Sequence, residues 1–512
     1  MPPLAMYRIC SSLLALGFFL SVAWTPGVSA QTLDDVLRYS ERSPATGAHD
    51  LGWVGANATA GTATYTALSS NPAGLGWATT SSVAGGLAAD FTTNEGDFLS
   101  PDGTFSGPFE RTQTEYRIGN VAFTYRVPTD QGSLTVGGAI NRTRSFDRTL
   151  VASGLNAQSS ITDTFLPPAN AADLTRIEQL AFDAGAIELI DGEYIQAVAP
   201  GPIFDTNVEQ REDLIETGGL YDASFGGAVE VAPNVMLGGS LIITFGSYTF
   251  DRIYEEVDVN NTHTNDLYDV LLDDGTLLQG FDALTFEQAI DADLAGVGGR
   301  FGASVAPASN LKLGVSFATP VYYTITETFG TRIETFFNEG SPLSAGGLDD
   351  FEFEYEVRTP WRVSLGGELS TGPLTLAGDL EVVDWSTLDI RASGERFTTL
   401  NRAIRDLDVT VNSRFGAAFD LNDLTLRAGL AYQPEPDPNG TRGDRTFLSG
   451  GLSYQFGPQL TLDFGWMQER FNDAFRPYGD VEVPDERTIA QAPQISEDVM
   501  RNVFKLGMRY QF

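Results

Sequence analysis

Cysteine, lysine and histidine are nearly absent from this chain of 512 residues. The single cysteine is Cys10, so the chain beyond it can form no disulfide, thiolate metal site or cysteine nucleophile. Only 31 basic residues stand against 68 acidic ones, which gives a net charge of -37. Because proteins bind nucleic-acid phosphates through basic patches, this composition argues against a nucleic-acid partner.

The residues that usually carry catalysis are scarce as well. Histidine occurs only at His49 and His263, and neither stands beside a convincing serine motif. The acidic stretch 437–444 partly resembles a calcium loop, but it lacks the closing glutamate and the ligand spacing. The sequence therefore predicts a protein that is not an enzyme and that needs no cofactor or metal.

Long apolar runs are also missing. Residues 1–30 have one charge, Arg8, an apolar core over 9–23 and a small-residue cleavage site at 28–30, which together predict a secretory signal peptide. That core is too short for a comfortable membrane span, and no later window offers about eighteen uncharged apolar residues. A helical protein with several membrane spans is thereby excluded.

Alternating polarity takes the place of long apolar runs. Along 503–512 one face carries Phe504, Leu506, Met508, Tyr510 and Phe512, and the other face carries Lys505, Gly507, Arg509 and Gln511. This period of two is typical of a strand between lipid and water. A terminal phenylalanine also resembles the insertion signal of outer-membrane proteins, which implies the barrel-assembly machinery as a partner during insertion.

The same pattern predicts an all-β fold, a transmembrane antiparallel β-barrel of about 14 strands formed by residues 81–512. The predicted strands are 81–92, 113–127, 132–146, 219–231, 235–256, 292–305, 310–328, 351–370, 373–389, 409–420, 423–433, 446–456, 459–471 and 501–512. Short connections alternate with long ones, especially 147–218, 257–291 and 472–500. Short periplasmic turns and long external loops are the rule for bacterial outer-membrane barrels.

Residues 31–80 show no long strand pattern and are rich in small residues. A barrel of this size would leak unless something filled it, so this segment is predicted to be a hatch inside the barrel. Its most distinctive feature is the turn Asn71-Pro72-Ala73-Gly74-Leu75, where proline and glycine enforce a tight local conformation.

This turn, with 55–61 before it and 83–87 after it, resembles the FadL/TodX family of outer-membrane transporters for hydrophobic compounds. The stretch 35–40 resembles the divergent branch of that family that is sometimes labelled as hemin receptors. The resemblance implies passive uptake of long-chain fatty acids or aromatic hydrocarbons, gated by the hatch, in contact with outer-membrane lipid and lipopolysaccharide. It also implies a lateral opening at a kink in the third strand, and Gly137 and Gly138 are the candidate positions for it.

Several alternatives stay open at this point. The glycine pair could mark a kink or could reduce bulk. The helical period over 173–190 fits a self-packed loop or an apolar ledge for an incoming amphiphile. The excess acid fits solvated loops, adaptation to salt, or divalent cations that bridge to anionic lipid. The chain could also be a secretion-accessory barrel or a nonspecific porin.

Inward basic residues could bind a ligand headgroup or could pair with acids in the lumen. These residues are Lys312, Arg362, Arg427, Lys505 and Arg509.

Overall fold

Fourteen antiparallel strands dominate the computed structural model, which describes residues 32–168, 173–190, 192–196, 198, 207–264, 269–272, 275–394, 397–482 and 489–512. The expected signal peptide lies outside the described residues. Among the described residues, no helix is long and apolar enough to cross a membrane.

The strands of the barrel are numbered here β1–β14 in chain order, and four of them are interrupted. They are β1 Ser82–Leu99, β2 Phe105–Val127, β3 Leu134–Ser145 with Arg148–Asn156, β4 Val208–Ala232, β5 Val235–Val257, β6 Leu277–Ala308, β7 Leu311–Ala318 with Tyr322–Glu339, β8 Leu343–Arg358 with Arg362–Thr371, β9 Leu374–Asp384 with Asp389–Arg391, β10 Val409–Leu421, β11 Leu424–Gln433, β12 Arg445–Phe456, β13 Leu460–Phe475 and β14 Gln494–Gln511. The predicted number of strands is confirmed.

Pairing between the first and last strands closes the barrel. β1 pairs with β2 on one side and with β14 on the other, in a register that runs from Ser82 opposite Gln511 to Leu99 opposite Gln494. The alternation of apolar and polar residues in the sequence determines which side chains face the lipid and which face the bore. Leu506 is 54% exposed on the outer wall, whereas its neighbour Lys505 is 7% exposed and points into the bore.

The short inner turns occur as predicted, but the strands are longer than predicted, and two outer connections, 100–104 and 340–342, are therefore short as well. β6, for example, runs for 32 residues from Leu277 rather than over 292–305. In its outer half the buried face is apolar, with Leu278, Leu284 and Phe286, and the exposed face is largely polar, which is the reverse of the alternation in a membrane-spanning strand. Asparagines in the left-handed region, Asn234 (φ 59°) and Asn422 (φ 55°), form two of the short turns.

Prolines interrupt two strands that the alternation predicted to be continuous. β7 breaks at 319–321 and β8 at 359–361, next to Pro320 and Pro360, because proline has no N–H to give to the ladder. Thr359 bridges the gap, since its N–H donates to the Val321 carbonyl at 3.0 Å and its hydroxyl accepts from the Val321 N–H at 2.9 Å.

The helices lie in the hatch and in the outer loops. They are α1 Leu33–Ser40, α2 Ala48–Leu51, α3 Ala58–Gly61, α4 Arg176–Asp183 and α5 Thr398–Arg405, with 3₁₀ helices at Tyr65–Ser69, Pro72–Trp77, Ile161–Phe165 and Trp385–Thr387. Short strand pairs complete the outer loops at Ile187–Ile190 with Glu193–Gln196 and at Val481–Glu482 with Ile489–Ala490, while Val270–Leu271 pairs with the outer end of β6.

The helix predicted over 173–190 is shorter in the structure. It starts after Thr175, whose capping box with Glu178 the sequence reading missed, and Gly185, at φ 67°, follows its C-terminus. Ile177, Ala181 and Ile187 all enter one buried cluster, which favours a self-packed loop.

Candidate functional site: the hatch and the barrel wall

The segment predicted to form the hatch, which the structure describes over residues 32–80, is held against the inner wall through the Asn71–Pro72 turn. The Asn71 side chain is fully buried and accepts the Ala73 N–H at 3.1 Å. Its amide donates to the Thr59 carbonyl at 2.7 Å and to the carbonyl of Ala303, in β6, at 3.0 Å. One side chain therefore shapes the turn, ties it to α3 and fixes both to the barrel.

The barrel wall opposite this turn carries glycines where the hatch comes close to it. A Cβ at Gly302 would collide with the Asn71 side chain, and one at Gly314 would collide with the Thr59 carbonyl. Within the hatch, a Cβ on Gly74 would lie 2.5 Å from the Thr62 carbonyl. Glycine is required at Gly314 and Gly74 because a second backbone segment comes close, and at Gly302 because the Asn71 side chain occupies the space.

Inward serines satisfy the carbonyls that the 3₁₀ helices of the hatch leave free. Ser240 donates to the Leu68 carbonyl at 2.8 Å, and Ser316 donates to the Ser70 carbonyl at 3.0 Å. Ser304 donates to the Ala60 carbonyl at 2.6 Å and accepts from the indole of Trp77 at 2.9 Å. Leu68 and Leu75 of the hatch are completely buried in an apolar cluster with alanines of β2, β3 and β4.

An ion network holds the segment after α1 at the outer rim of the barrel. The Glu41 carboxylate lies 2.7 Å from Arg144, 2.7 Å from Arg442 and 2.8 Å from Arg445. Although burial alone would raise it, the three guanidinium groups hold the pKa of Glu41 at about 2. Sequence reasoning missed this carboxylate, because its partners lie more than a hundred positions away.

Helix α1 itself is enclosed by apolar and aromatic side chains. Val36, Leu37 and Tyr39 are at most 1% exposed. The rings of Phe146 and Tyr248 both lie 6.0 Å from that of Tyr39 in edge-to-face contact. The rest of this aromatic cage consists of Tyr323, Tyr355 and Trp385.

Packing between hatch and wall is tight. A cavity beside Glu41 and Trp385 has a volume of ≈ 20 Å³, and another beside His49 and Tyr65 has a volume of ≈ 10 Å³. Neither could hold more than a water molecule. At these two places the space between hatch and wall is therefore filled by protein.

The barrel wall has a break on one side of β3. The pairing of β2 with β3 ends at Asn120 opposite Asn141, although both strands continue outward. Beyond Asn141 the pairing of β3 with β4 shifts between Arg142 and Arg144, and β3 is then interrupted. Its outer part packs against β1, where Leu150 and Phe98 share one apolar cluster.

The break does not lie at Gly137 and Gly138, the positions singled out in the sequence. Both residues pair regularly with β2 and β4. A Cβ on Gly138 would lie 2.8 Å from the Phe123 ring and 3.0 Å from the Phe225 ring, so this glycine makes room for two aromatic side chains. On the outer wall around it is an apolar depression of ≈ 480 Å³.

Charged side chains fill the break. Arg142 of β3 donates to Glu115 of β2 at 2.8 and 2.9 Å and to the Gly218 carbonyl at 2.7 Å. Oxygens of Asp90, Glu115 and Asp147 lie within 4.8 Å of one another, a grouping that could hold a cation. However, Arg142 contacts both Glu115 and Asp147, and Arg117 pairs with Asp90 and Glu115, so the carboxylates already have cationic partners.

The five basic residues considered for a ligand headgroup are spread around the bore rather than gathered. Lys312 pairs with Glu368 at 3.1 Å, and its Nζ lies 5.9 Å from the centre of the Trp77 ring. Arg362 pairs with Glu381 at 3.3 Å and donates to the Ser40 carbonyl at 2.6 Å.

The other three also face the hatch. Lys505 donates to the Thr46 carbonyl at 2.5 Å, and the Arg427 guanidinium lies 5.6 Å from the centre of the Trp53 ring. Arg509 lines the small cavity beside His49. In this arrangement the basic side chains anchor the hatch, so a headgroup could reach them only after the hatch had moved.

Comparison with known proteins agrees with this architecture. A family model described as "Outer membrane protein transport protein (OMPP1/FadL/TodX)" matches residues 221–512, more than half of the chain. Outer membrane protein P1 of Haemophilus influenzae is 25% identical over 221 residues, 39% of this chain and 44% of that protein. The 47 kDa outer membrane protein of Pasteurella multocida is 29% identical over 113 residues, 21% of this chain and 26% of that protein. The chain thus matches less than half the length of either relative.

Among solved structures, that of a Pseudomonas aeruginosa FadL homologue matches with a TM-score of 0.54 at 13% identity, covering 92% of this chain and 99% of the other. This likeness shows a shared fold. Together with the family match, it establishes that the chain belongs to the OMPP1/FadL/TodX family of outer-membrane transport proteins and is a protein of the outer membrane.

Proposed function

We propose that this protein carries hydrophobic or amphipathic small molecules passively across the outer membrane, and that the hatch gates their passage. The observation that carries the proposal is the aromatic cage around α1. It presents aromatic and aliphatic side chains inside the bore, which α1 covers with Val36, Leu37 and Tyr39, and the ion pair of Arg38 with Glu216 lies beside them. A hydrophobic passenger could replace these contacts once α1 moves, whereas a polar solute could not.

The break beside β3 supports a lateral route out of the bore. The ladder that would close the wall stops at Asn120 and Asn141, and the groups that fill the gap are side chains rather than paired backbone. Side chains can rearrange without loss of strand pairing. Long-chain fatty acids and aromatic hydrocarbons are the substrate classes that membership of the family suggests.

A disulfide between the hatch and the wall tests the gating role. The hydroxyls of Ser69, before the Asn71–Pro72 turn, and Ser224, in β4, lie 3.5 Å apart, so cysteines at both positions can form a bridge. The chain has no cysteine after residue 10, so no other thiol competes. The double variant Ser69→Cys/Ser224→Cys in vesicles should take up a fluorescent fatty acid slowly when oxidised and at the normal rate after reduction.

The single variant Ser69→Cys is the matched control and should respond to neither treatment. Equal uptake by the oxidised and reduced double variant would show that this part of the hatch does not gate passage.

A further inference from the structure

A pocket of ≈ 430 Å³ lies between the end of β9 and α5, in one of the long connections on the outer side of the barrel. This volume is within the range of about 300–1,000 Å³ that is usual for small-molecule sites. The side chain of Asn401 fixes the two walls together, because its oxygen accepts from the Ile390 N–H at 3.1 Å and its amide donates to the Ile390 carbonyl at 2.9 Å. The pocket is thus formed without a ligand.

Three arginines line this pocket in a chain with a large excess of acid. Arg402 and Arg405 project from one face of α5, and Arg391 ends β9 with a side chain that is 69% exposed. Arg391 pairs with Asp389 at 2.5 Å, but neither Arg402 nor Arg405 pairs with a carboxylate in the part of the chain that the structure describes. Basic residues in the last turn of a helix interact favourably with the helix dipole. That interaction does not account for Arg391, which lies on the opposite wall of the pocket.

The floor of the pocket is apolar and continues toward the hatch. Ile390 is 1% exposed, and Phe397 packs against the same cluster. That cluster includes Val36 and Leu37 of α1. An apolar tail that lies on this floor would therefore be next to the apolar cluster that encloses α1.

We propose that the pocket between β9 and α5 binds the negatively charged head of a single-tailed amphiphile on its way to the hatch. Guanidinium groups bind carboxylates through charge-assisted hydrogen bonds, which are about twice as strong as neutral ones. The inference rests on the proposed transport function and deepens it: the passenger is selected for charge at the outer mouth, before it meets the bore.

Equilibrium dialysis of the full chain in amphipol tests this selection, with dodecanoate and dodecan-1-ol as matched probes. The wild type should bind dodecanoate about tenfold more tightly than the alcohol. The variant Arg402→Gln/Arg405→Gln should lose that preference and keep its affinity for dodecan-1-ol. The control variant Arg211→Gln/Arg476→Gln removes two exposed arginines elsewhere and should behave as the wild type.

The other outcomes separate the two proposals. A preference for dodecanoate that survives in Arg402→Gln/Arg405→Gln, or is absent from the wild type while both probes bind, would overturn the arginine site and leave the transport function standing. Failure of the wild type to bind either probe would overturn both. If dihexanoyl-phosphatidylglycerol binds in an Arg402- and Arg405-dependent manner while dodecanoate does not, the site serves a lipid headgroup and the inference is wrong.

Discussion

Replacing Glu41 with glutamine should release the segment after α1 from the outer rim of the barrel. This carboxylate is the group that Arg144, Arg442 and Arg445 share, and it is 9% exposed. Glutamine keeps the shape of the side chain and removes its charge. Among the residues that the structure describes, the three arginines would then keep ion pairs with Glu469 and Glu435.

The pKa of Glu41 sets the size of the effect. The pKa is lowered from 4.5 to about 2, and at about 1.4 kcal/mol per pKa unit this corresponds to about 3 kcal/mol. That value is at the lower end of the range of about 3–5 kcal/mol for loss of one partner from a buried ion pair. Because the pKa is lowered in the folded state, the contribution is present above pH 4.5 and disappears as the pH falls toward 2.

Hydrogen exchange at neutral pH measures the release directly. The Glu41 N–H donates to the Leu37 carbonyl at 3.0 Å and the Ser43 N–H to the Thr143 carbonyl at 2.9 Å, so both amides report on this segment. A loss of about 3 kcal/mol would speed their exchange by about 150-fold in Glu41→Gln. Exposed Glu110, on β2, provides the control Glu110→Gln, which should leave both amides unchanged.

Acid should have the same effect on the wild type. Between pH 4.5 and 2 its protection at Glu41 and Ser43 should approach that of Glu41→Gln. If the variant keeps wild-type protection at neutral pH, the ion network does not hold the hatch and the reasoning from its geometry is refuted.

Two further predictions concern the inner wall and an outer loop. Gly302→Ala should destabilise the protein by about 1–3 kcal/mol, because the new Cβ collides with Asn71, whereas Gly378→Ala, whose Cβ meets only ordinary contacts, should shift the thermal midpoint little. In the loop, burial raises the pKa of Asp163 to about 7 from an ordinary 3.8, so the docked loop retains a proton that the opened loop releases. Docking of the loop is therefore strongest below pH 3.8 and weakens as the pH rises to 7. After correction for the intrinsic pH dependence of exchange, the backbone amide of Asp163 should exchange faster at pH 8 than at pH 5. The variant Asp163→Asn should reduce this difference. An unchanged pH dependence in that variant would contradict the assignment.

The barrel could be predicted from the sequence because the alternation that marks a membrane-spanning strand involves neighbouring residues only. Each lipid-facing residue, such as Leu506, alternates with an inward one, such as Lys505, and this pattern alone indicates the membrane-spanning part of every strand. Helix α1, Leu33–Ser40, follows a local rule as well, because Thr32 and Asp35 form its capping box. These features depend on residues a few positions apart.

The rest depends on contacts that a single sequence does not reveal. In the outer part of a strand such as β6 the exposed face is no longer apolar, so the membrane-type alternation does not reveal its full length. The break in the wall was expected at Gly137 and Gly138, but the residues that depart from regular pairing, Arg142 and Arg144, carry no sequence signal for it. Glu41 looks like any exposed glutamate until the fold brings three arginines to it.

The length of the strands has a consequence for where an incoming molecule first meets the protein. A strand of 32 residues extends roughly 100 Å, and at the usual tilt it rises about 75 Å, three times the height of the apolar band of such a barrel. β11 has only 10 residues, so the barrel wall is much taller on the side of β6 than on the side of β11. Under the proposed function, an incoming oily molecule would first meet the protein on this taller side, above the apolar band.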